Sequence, residues 1–100
     1  MRILGVDPGS SRCGYGLIEK NGSQLKLIDY GLIEVKEKDI NHKLIILGHD
    51  YKKVLKDLKP DLVAIEKIFF SRNVKTAIEV AQARGVLIYL SLKENLILDH

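Results

Sequence analysis

The sequence has few of the residues that staple small extracellular domains together. It holds one cysteine, Cys13, no tryptophan, one methionine and two prolines in 100 residues. A single thiol excludes an intramolecular disulfide and a clustered-thiol zinc site, and it fits a reducing compartment. Two Pro and eight Gly are too few for a linker or a disordered tail. No apolar run approaches the roughly 18 residues of a membrane span. The opening Met1-Arg2-Ile3-Leu4-Gly5-Val6-Asp7 puts a carboxylate where a secretory signal needs an apolar core. These absences predict a cytoplasmic protein with no membrane partner. Charge of one sign is also in short supply. A net +3 and a pI near 9.0 suit a polyanionic partner without demanding one.

What is present is globular composition, with 46% hydrophobic residues and no repeat or low-complexity tract. The length predicts one domain spanning residues 1–100, or a piece of one. A chain this short buries a modest fraction of its surface, so a missing element would be felt.

The order of elements follows from changes of period. Residues 2–7 form a short apolar run closed by Pro8-Gly9, a strand and a turn. Residues 15–20 predict a second strand, followed by Asn21-Gly22, a strong hairpin signal. Residues 25–35 predict a third strand, bent or bulged near Gly31. Leu44, Leu47, Tyr51, Val54, Leu55 and Leu58 then recur at helical spacing, with Lys52, Lys53, Lys56 and Asp57 on the solvated side. Asp39 or Asn41 would cap this helix, and Lys59-Pro60 would stop it. Leu62-Val63-Ala64-Ile65 is a continuous apolar run of the kind buried on both faces, and it ends on Glu66. A second helix is expected over residues 73–93. Its predicted inner stripe is Val74, Ala77, Ile78, Ala81, Gly85, Ile88 and Leu92, with Ala81 and Gly85 permitting close approach to the sheet or another helix. Another strand begins near Asn95. The fold class is α/β, a mixed sheet in the order βββ-α-β-α-β, with the strand after the first helix parallel to the first strand.

This topology makes a chemical prediction. Asp7 ends the first strand and Glu66 ends the fourth, each after a buried apolar run. Parallel neighbours lie about 4.8 Å apart, so the two carboxylates would sit side by side at the carboxyl edge of the sheet. Ligands bind at that edge in open α/β sheets. Adjacent carboxylates repel one another and call for a cation, and hard oxygen ligands suit Mg²⁺ or Mn²⁺. Either residue alone could instead cap a helix or pair with a surface lysine, and Lys67 is adjacent to Glu66.

Four segments, in order, resemble the RuvC family of Holliday junction resolvases. They are Ile3-Leu4-Gly5-Val6-Asp7-Pro8-Gly9, Lys59-Pro60-Asp61-Leu62-Val63-Ala64-Ile65-Glu66, Ile68-Phe69-Phe70-Ser71-Arg72-Asn73 and Ala81-Gln82-Ala83-Arg84-Gly85. The first is weakly specific; the other three together are specific, and the resemblance runs through essentially the whole chain. It implies an RNase H-like nuclease domain, incomplete at its C-terminus and truncated at the fifth strand. It implies a metal-dependent endonuclease that resolves four-way junctions by paired symmetric nicking in recombination and repair. It also implies that Asp7 and Glu66 are two members of a four-member cluster holding two Mg²⁺ or Mn²⁺ ions, the others lying on a later helix. Asp99 does not match those positions. By the same resemblance the protein is a homodimer, through the second helix, and works with branch-migration machinery. The 100 residues alone are expected to be inactive or nearly so, because two-metal catalysis needs more than two carboxylates.

Several further residues are candidates for contact with DNA. Phe69 is expected to stack on an unpaired base, while one of Phe69 and Phe70 turns into the core. Ser71-Arg72-Asn73 enters the second helix, where backbone N–H groups with Arg72, Asn73 and Lys75 suit phosphate. Ser10, Ser11 and Arg12 form the turn after Asp7, and Ser10 and Arg12 could touch the scissile strand. Arg84 would pair with a carboxylate or reach DNA. His42, His49 and His100 lack ligand spacing, and the first two are expected on the surface of the first helix. Three competing readings remain open. Asp7-Pro8-Gly9-Ser10-Ser11 also resembles the first phosphate-binding hairpin of actin-like kinases and ATPases, the YqgF-like nucleases share the opening strand, and the chain could be a non-catalytic junction-binding module.

Overall fold

The computed structural model describes residues 1–67 and 73–100. Its elements run β1 (Arg2–Asp7), β2 (Arg12–Asn21), β3 (Gln24–Glu34), α1 (Ile40–Leu58), β4 (Leu62–Ile65), α2 (Val74–Lys93) and β5 (Ile97–Asp99). The expected order is the observed one. The five strands form one sheet in the order β3-β2-β1-β4-β5. β1 and β2 pair antiparallel, as do β2 and β3, while β4 is parallel to both β1 and β5.

The local chemistry explains most boundaries. The β2–β3 turn is a two-residue loop, Gly22-Ser23, between the paired Asn21 and Gln24. Of its two residues only Gly22 has positive φ, at 62°, the type II′ arrangement that matches strand twist. Asp39 caps α1 by accepting from the His42 N–H, which settles the choice between Asp39 and Asn41. The helix ends at Lys59 in the left-handed region, φ 48°, immediately before Pro60. Asp61 then ties the next strand to the first. Its carboxylate accepts from the Arg2 N–H, and its own N–H donates to the Arg2 carbonyl, both at 2.8 Å.

Both helices cover one face of the sheet. Leu4, Leu17, Leu47, Tyr51, Val63, Ala83 and Leu87 are fully buried between them. Each such leucine contributes about 1.5–3 kcal/mol by leaving water. The predicted stripe of α1 is the observed one, with Leu47, Tyr51 and Leu55 buried and Leu44, Val54 and Leu58 packed against them. Ser91 is a buried polar residue with both needs met. It donates to the Leu87 carbonyl at 2.7 Å and bonds the Tyr51 hydroxyl at 2.8 Å.

Two expectations are corrected. The irregularity in β3 lies at Ile28, not near Gly31. Leu17 pairs with Asp29 and Ile18 with Leu27, leaving Ile28 as the extra residue. Gly31 instead faces Tyr15, whose hydroxyl would lie 2.3 Å from a Cβ placed there. The buried face of α2 is also different from the predicted one. It is Ala83, Leu87 and Ser91, with Ile88 of the predicted stripe packed against the core beside them, whereas Val74, Ile78 and Leu92 are 69%, 54% and 54% exposed, and a Cβ on Gly85 would meet nothing. The close approach between helices is at Gly48, where a Cβ would come within 3.3 Å of Val86. The physical reason is that α2 is apolar on two sides. The fully buried positions, Ala83, Leu87 and Ser91, stand at four-residue steps with one large apolar residue among them, so periodicity favours the other side.

Candidate metal centre

The carboxylate pair comes from the register of β1 and β4. Val6 pairs with Ile65, and the next residue of each strand is acidic. Val6 and Ile65 are buried on the helix side. Alternation along a strand therefore sends Asp7 and Glu66 toward the opposite, helix-free face. Both are exposed. They line a hollow of about 540 Å³ whose floor is Gly5, Gly14, Gly16 and Ala64. Small residues on this face leave room beside the carboxylates.

The electrostatics agree with the geometry. Asp7 holds Glu66 above the usual carboxylate range, through a hydrogen bond between the two carboxyl groups and through its own negative charge. It is Asp7, and not the adjacent Lys67, that perturbs Glu66. Two adjacent carboxyl groups that perturb one another in this way call for a cation. Asp99 and His100 border the same hollow, yet no group of three or more His, Cys, Asp or Glu converges at metal-binding range among the described residues. The donor set therefore fits a hard divalent cation, and it supplies two ligands toward it.

The turn after Asp7 is tight. A Cβ on Gly9 would lie 2.1 Å from the Arg12 carbonyl oxygen. Beneath it Cys13 is fully buried, and burial together with the Asp7 charge pushes its thiol up to about 12. Ser10 is buried, and its hydroxyl lies 3.5 Å from Glu79 Oε2 of α2, a long contact. Ser11 and Arg12 are the exposed members of this turn, and Arg12 Nη2 is 3.9 Å from Glu34. Asn73 caps α2, its side chain accepting from the Thr76 N–H at 3.3 Å, and Lys75 on the first turn is exposed. Arg84 donates from Nε to the Glu66 carbonyl at 3.0 Å. Phe69 and Arg72 lie outside the described residues. His42 and His49 are on the surface of α1, beside Asp39 and Asp50.

Sequence reasoning missed Glu79 as a neighbour of the turn and the main-chain partner of Arg84. The four-residue step from Glu79 to the buried Ala83 and Leu87 was the available signal. It was hidden because that stripe carries little apolar area.

Comparison with known proteins agrees with this arrangement. A family model described as crossover junction endodeoxyribonuclease RuvC matches residues 3–99. A protein of that name from Petrotoga mobilis is 44% identical over 97 residues, covering 96% of this chain and 60% of its own length. One from Caldicellulosiruptor saccharolyticus is 47% identical over 98 residues, covering 96% and 59%. The chain thus spans about three-fifths of the length of these curated relatives. Among solved structures, T. thermophilus RuvC in complex with a Holliday junction substrate superposes with a TM-score of 0.85. That match has 21% identity and covers 98% of this chain and 63% of that one, a likeness of fold. With the fold, the order of the motifs and these relatives in agreement, the chain belongs to the crossover junction endodeoxyribonuclease RuvC family.

Proposed function

We propose that the protein is a divalent-metal-dependent endonuclease that resolves four-way DNA junctions by paired, symmetric nicks. The observation that carries this reading is the placement of Asp7 and Glu66 on adjacent parallel strands, one step past Val6 and Ile65. Asp7 and Glu66 would hold Mg²⁺ or Mn²⁺, two ions in a complete site, with further ligands beyond the two carboxylates described. When bound, such ions supply an activated water and stabilise the leaving 3′-oxygen of a phosphodiester. The chain's own part is to bind and orient. Gly5, Gly14, Gly16 and Ala64 leave the floor of the hollow open to a sugar-phosphate strand. Arg12 and Lys75, both exposed, would meet flanking phosphates. Ser10 and Asn73 would add polar contacts to the strand, Phe69 would stack on an unpaired base, and Arg72, which precedes Asn73 in sequence, would add positive charge.

Symmetric nicking needs a two-fold assembly, and α2 would offer the surface for a second copy. Val74, Ile78, Ala81, Gly85 and Leu92 lie on one exposed stripe, with Tyr89 beside it. The small Ala81 and Gly85 at its centre let a partner helix approach closely. On this reading the protein would act in the cytoplasm, beside branch-migration machinery. No helix of the described residues is long and apolar enough to cross a membrane.

The test is cleavage of a synthetic four-way junction in Mg²⁺. It compares the 100-residue chain with the chain completed by the remaining residues of the Petrotoga mobilis relative, and with the completed chain carrying Asp7→Asn. Paired nicks from the completed protein, lost in Asp7→Asn and absent from the shorter chain, are expected. Junction binding without cutting would replace the nuclease reading with that of a binding module. Hydrolysis of ATP without junction binding would return the phosphate-hairpin reading.

A further inference from the structure

The carboxyl end of β4 is tethered by little main-chain pairing. Its register with β1 stops at Val6 and Ile65, and that with β5 stops at Ala64 and Asp99. The Glu66 N–H reaches back to the Val6 carbonyl at 3.0 Å. The Glu66 carbonyl lies past the last residue of the strand and outside the ladder. It is taken up by Arg84, eighteen residues further along, whose Nε–H donates to it at 3.0 Å.

The backbone that carries Arg84 is well anchored. Arg84 follows Ala83 and precedes Leu87 by three positions, and both are fully buried against the sheet. A guanidinium Nε–H points in one direction set by its planar group, so this contact defines where the carbonyl sits. Two like charges side by side push apart. When both carboxylates are ionised, and with one main-chain bond at the strand end among the described residues, that repulsion would swing the Glu66 backbone away from Asp7. The second bond, from Arg84, opposes the swing.

We infer that Arg84 is a positioning residue for the carboxylate pair, fixing through the Glu66 carbonyl the backbone from which one of the two carboxylates projects. The inference rests on the metal-site reading of Asp7 and Glu66. It gives Arg84 a task at the metal site, distinct from contact with DNA. The same helix also reaches the other carboxylate's segment, through the 3.5 Å contact of Glu79 with Ser10, three residues past Asp7. One helix anchored in the core thereby touches the backbone of Glu66 and the turn that follows Asp7. Partners that orient ligating carboxylates usually change metal affinity by about 10- to 100-fold when removed.

The experiment uses the 100-residue chain with Arg84→Gln and Arg84→Ala, and Asp7→Asn as control. Amide hydrogen exchange is read at Glu66, Leu4 and Val63. Mn²⁺ affinity is read from line broadening around Asp7 and Glu66, and junction binding is measured in EDTA. In both Arg84 variants the Glu66 amide should exchange about tenfold faster while Leu4 and Val63 keep their rates. The Mn²⁺ dissociation constant should rise about tenfold, junction binding in EDTA should hold, and methylguanidinium should restore affinity to Arg84→Ala. Unchanged exchange at Glu66 with unchanged Mn²⁺ affinity overturns the inference. So does a loss of junction binding with Mn²⁺ affinity intact, which would make Arg84 a DNA contact. If faster exchange at Leu4 and Val63 reveals loss of fold, Arg84→Lys keeps the charge without the Nε geometry and is read by the same criteria. If Asp7→Asn leaves Mn²⁺ binding intact, the metal-site reading has failed, and exchange at Glu66 still reports whether Arg84 holds the strand end.

Discussion

The N–H of Glu66 donates to the carbonyl of Val6 at 3.0 Å, one residue before Asp7. This bond extends the parallel pairing of β1 and β4 to the point where both strands turn acidic. Two carboxylates 59 positions apart in sequence become neighbours through main-chain register, before any side chain chooses a rotamer. The chemistry of the site is therefore a property of the sheet, and substitutions in the sheet and its turns should be felt there.

The carboxylate pair should make stability depend on pH and on divalent ions. Glu66 titrates above the ordinary carboxyl value of 4.5 in the folded state. The folded protein thus binds its proton more tightly than the unfolded chain does, and stability falls as pH rises from about 4.5 through the raised value. Thermal melts in EDTA between pH 4 and 8 should show this fall, and Glu66→Gln should flatten it. Mg²⁺ should raise the melting temperature of the native chain at neutral pH and leave that of Asp7→Asn unchanged.

Gly9→Ala should damage the site through the backbone. Its Cβ would sit 2.1 Å from the Arg12 carbonyl oxygen, which belongs to the main chain and cannot rotate away. The expected loss is about 1–3 kcal/mol by urea denaturation, as for overpacking elsewhere. Weaker Mn²⁺ binding should accompany it, because the turn that moves is the one leaving Asp7. A variant as stable as the parent with full metal affinity would mean the turn relaxes freely.

Cys13 should be inert. Its thiol is fully buried and pushed up to about 12, chiefly by burial and then by the Asp7 charge. At pH 8 the folded chain should react with a thiol reagent far more slowly than free cysteine, and urea should release the full rate. Above about pH 9 the unfolded thiol ionises while the folded one does not, so stability should decline there. Rapid labelling of the native chain would show that the β1–β2 turn opens.

Tyr51→Phe removes the 2.8 Å hydrogen bond to Ser91 between the two helices. Ser91 keeps its bond to the Leu87 carbonyl, so no donor is stranded. The cost should be about 1 kcal/mol in urea denaturation, the ordinary value of one buried hydrogen bond.

Ile78→Asp tests the outer face of α2. Ile78 is 54% exposed, so the fold should tolerate the change. A dimer formed through this face should shift toward monomer in analytical ultracentrifugation. An unchanged sedimentation profile from a dimeric parent would place the interface elsewhere.

Much of the fold was legible because local signals agreed with one another. The hairpin at Asn21-Gly22, the cap at Asp39, the stop at Lys59-Pro60 and the stripe through Leu47, Tyr51 and Leu55 each depend on residues close in sequence. Asp7 and Glu66 were legible for a related reason, since each follows a buried apolar run and the right-handed connection makes those runs neighbours. The sequence could not tell which face of α2 packs. Both faces carry apolar residues, and the choice falls to the fit of Ala83, Leu87 and Ser91 against β4 and Tyr51, a matter of shape between distant segments. Nor could it place the bulge at Ile28, which depends on how β2 and β3 accumulate twist. The partner of Arg84 was equally out of reach, because a side chain on one helix meeting a carbonyl on another strand leaves no periodic trace. Patterns repeated along the chain are set by the sequence alone, whereas contacts between elements exist only once packing has fixed their distance and rotation.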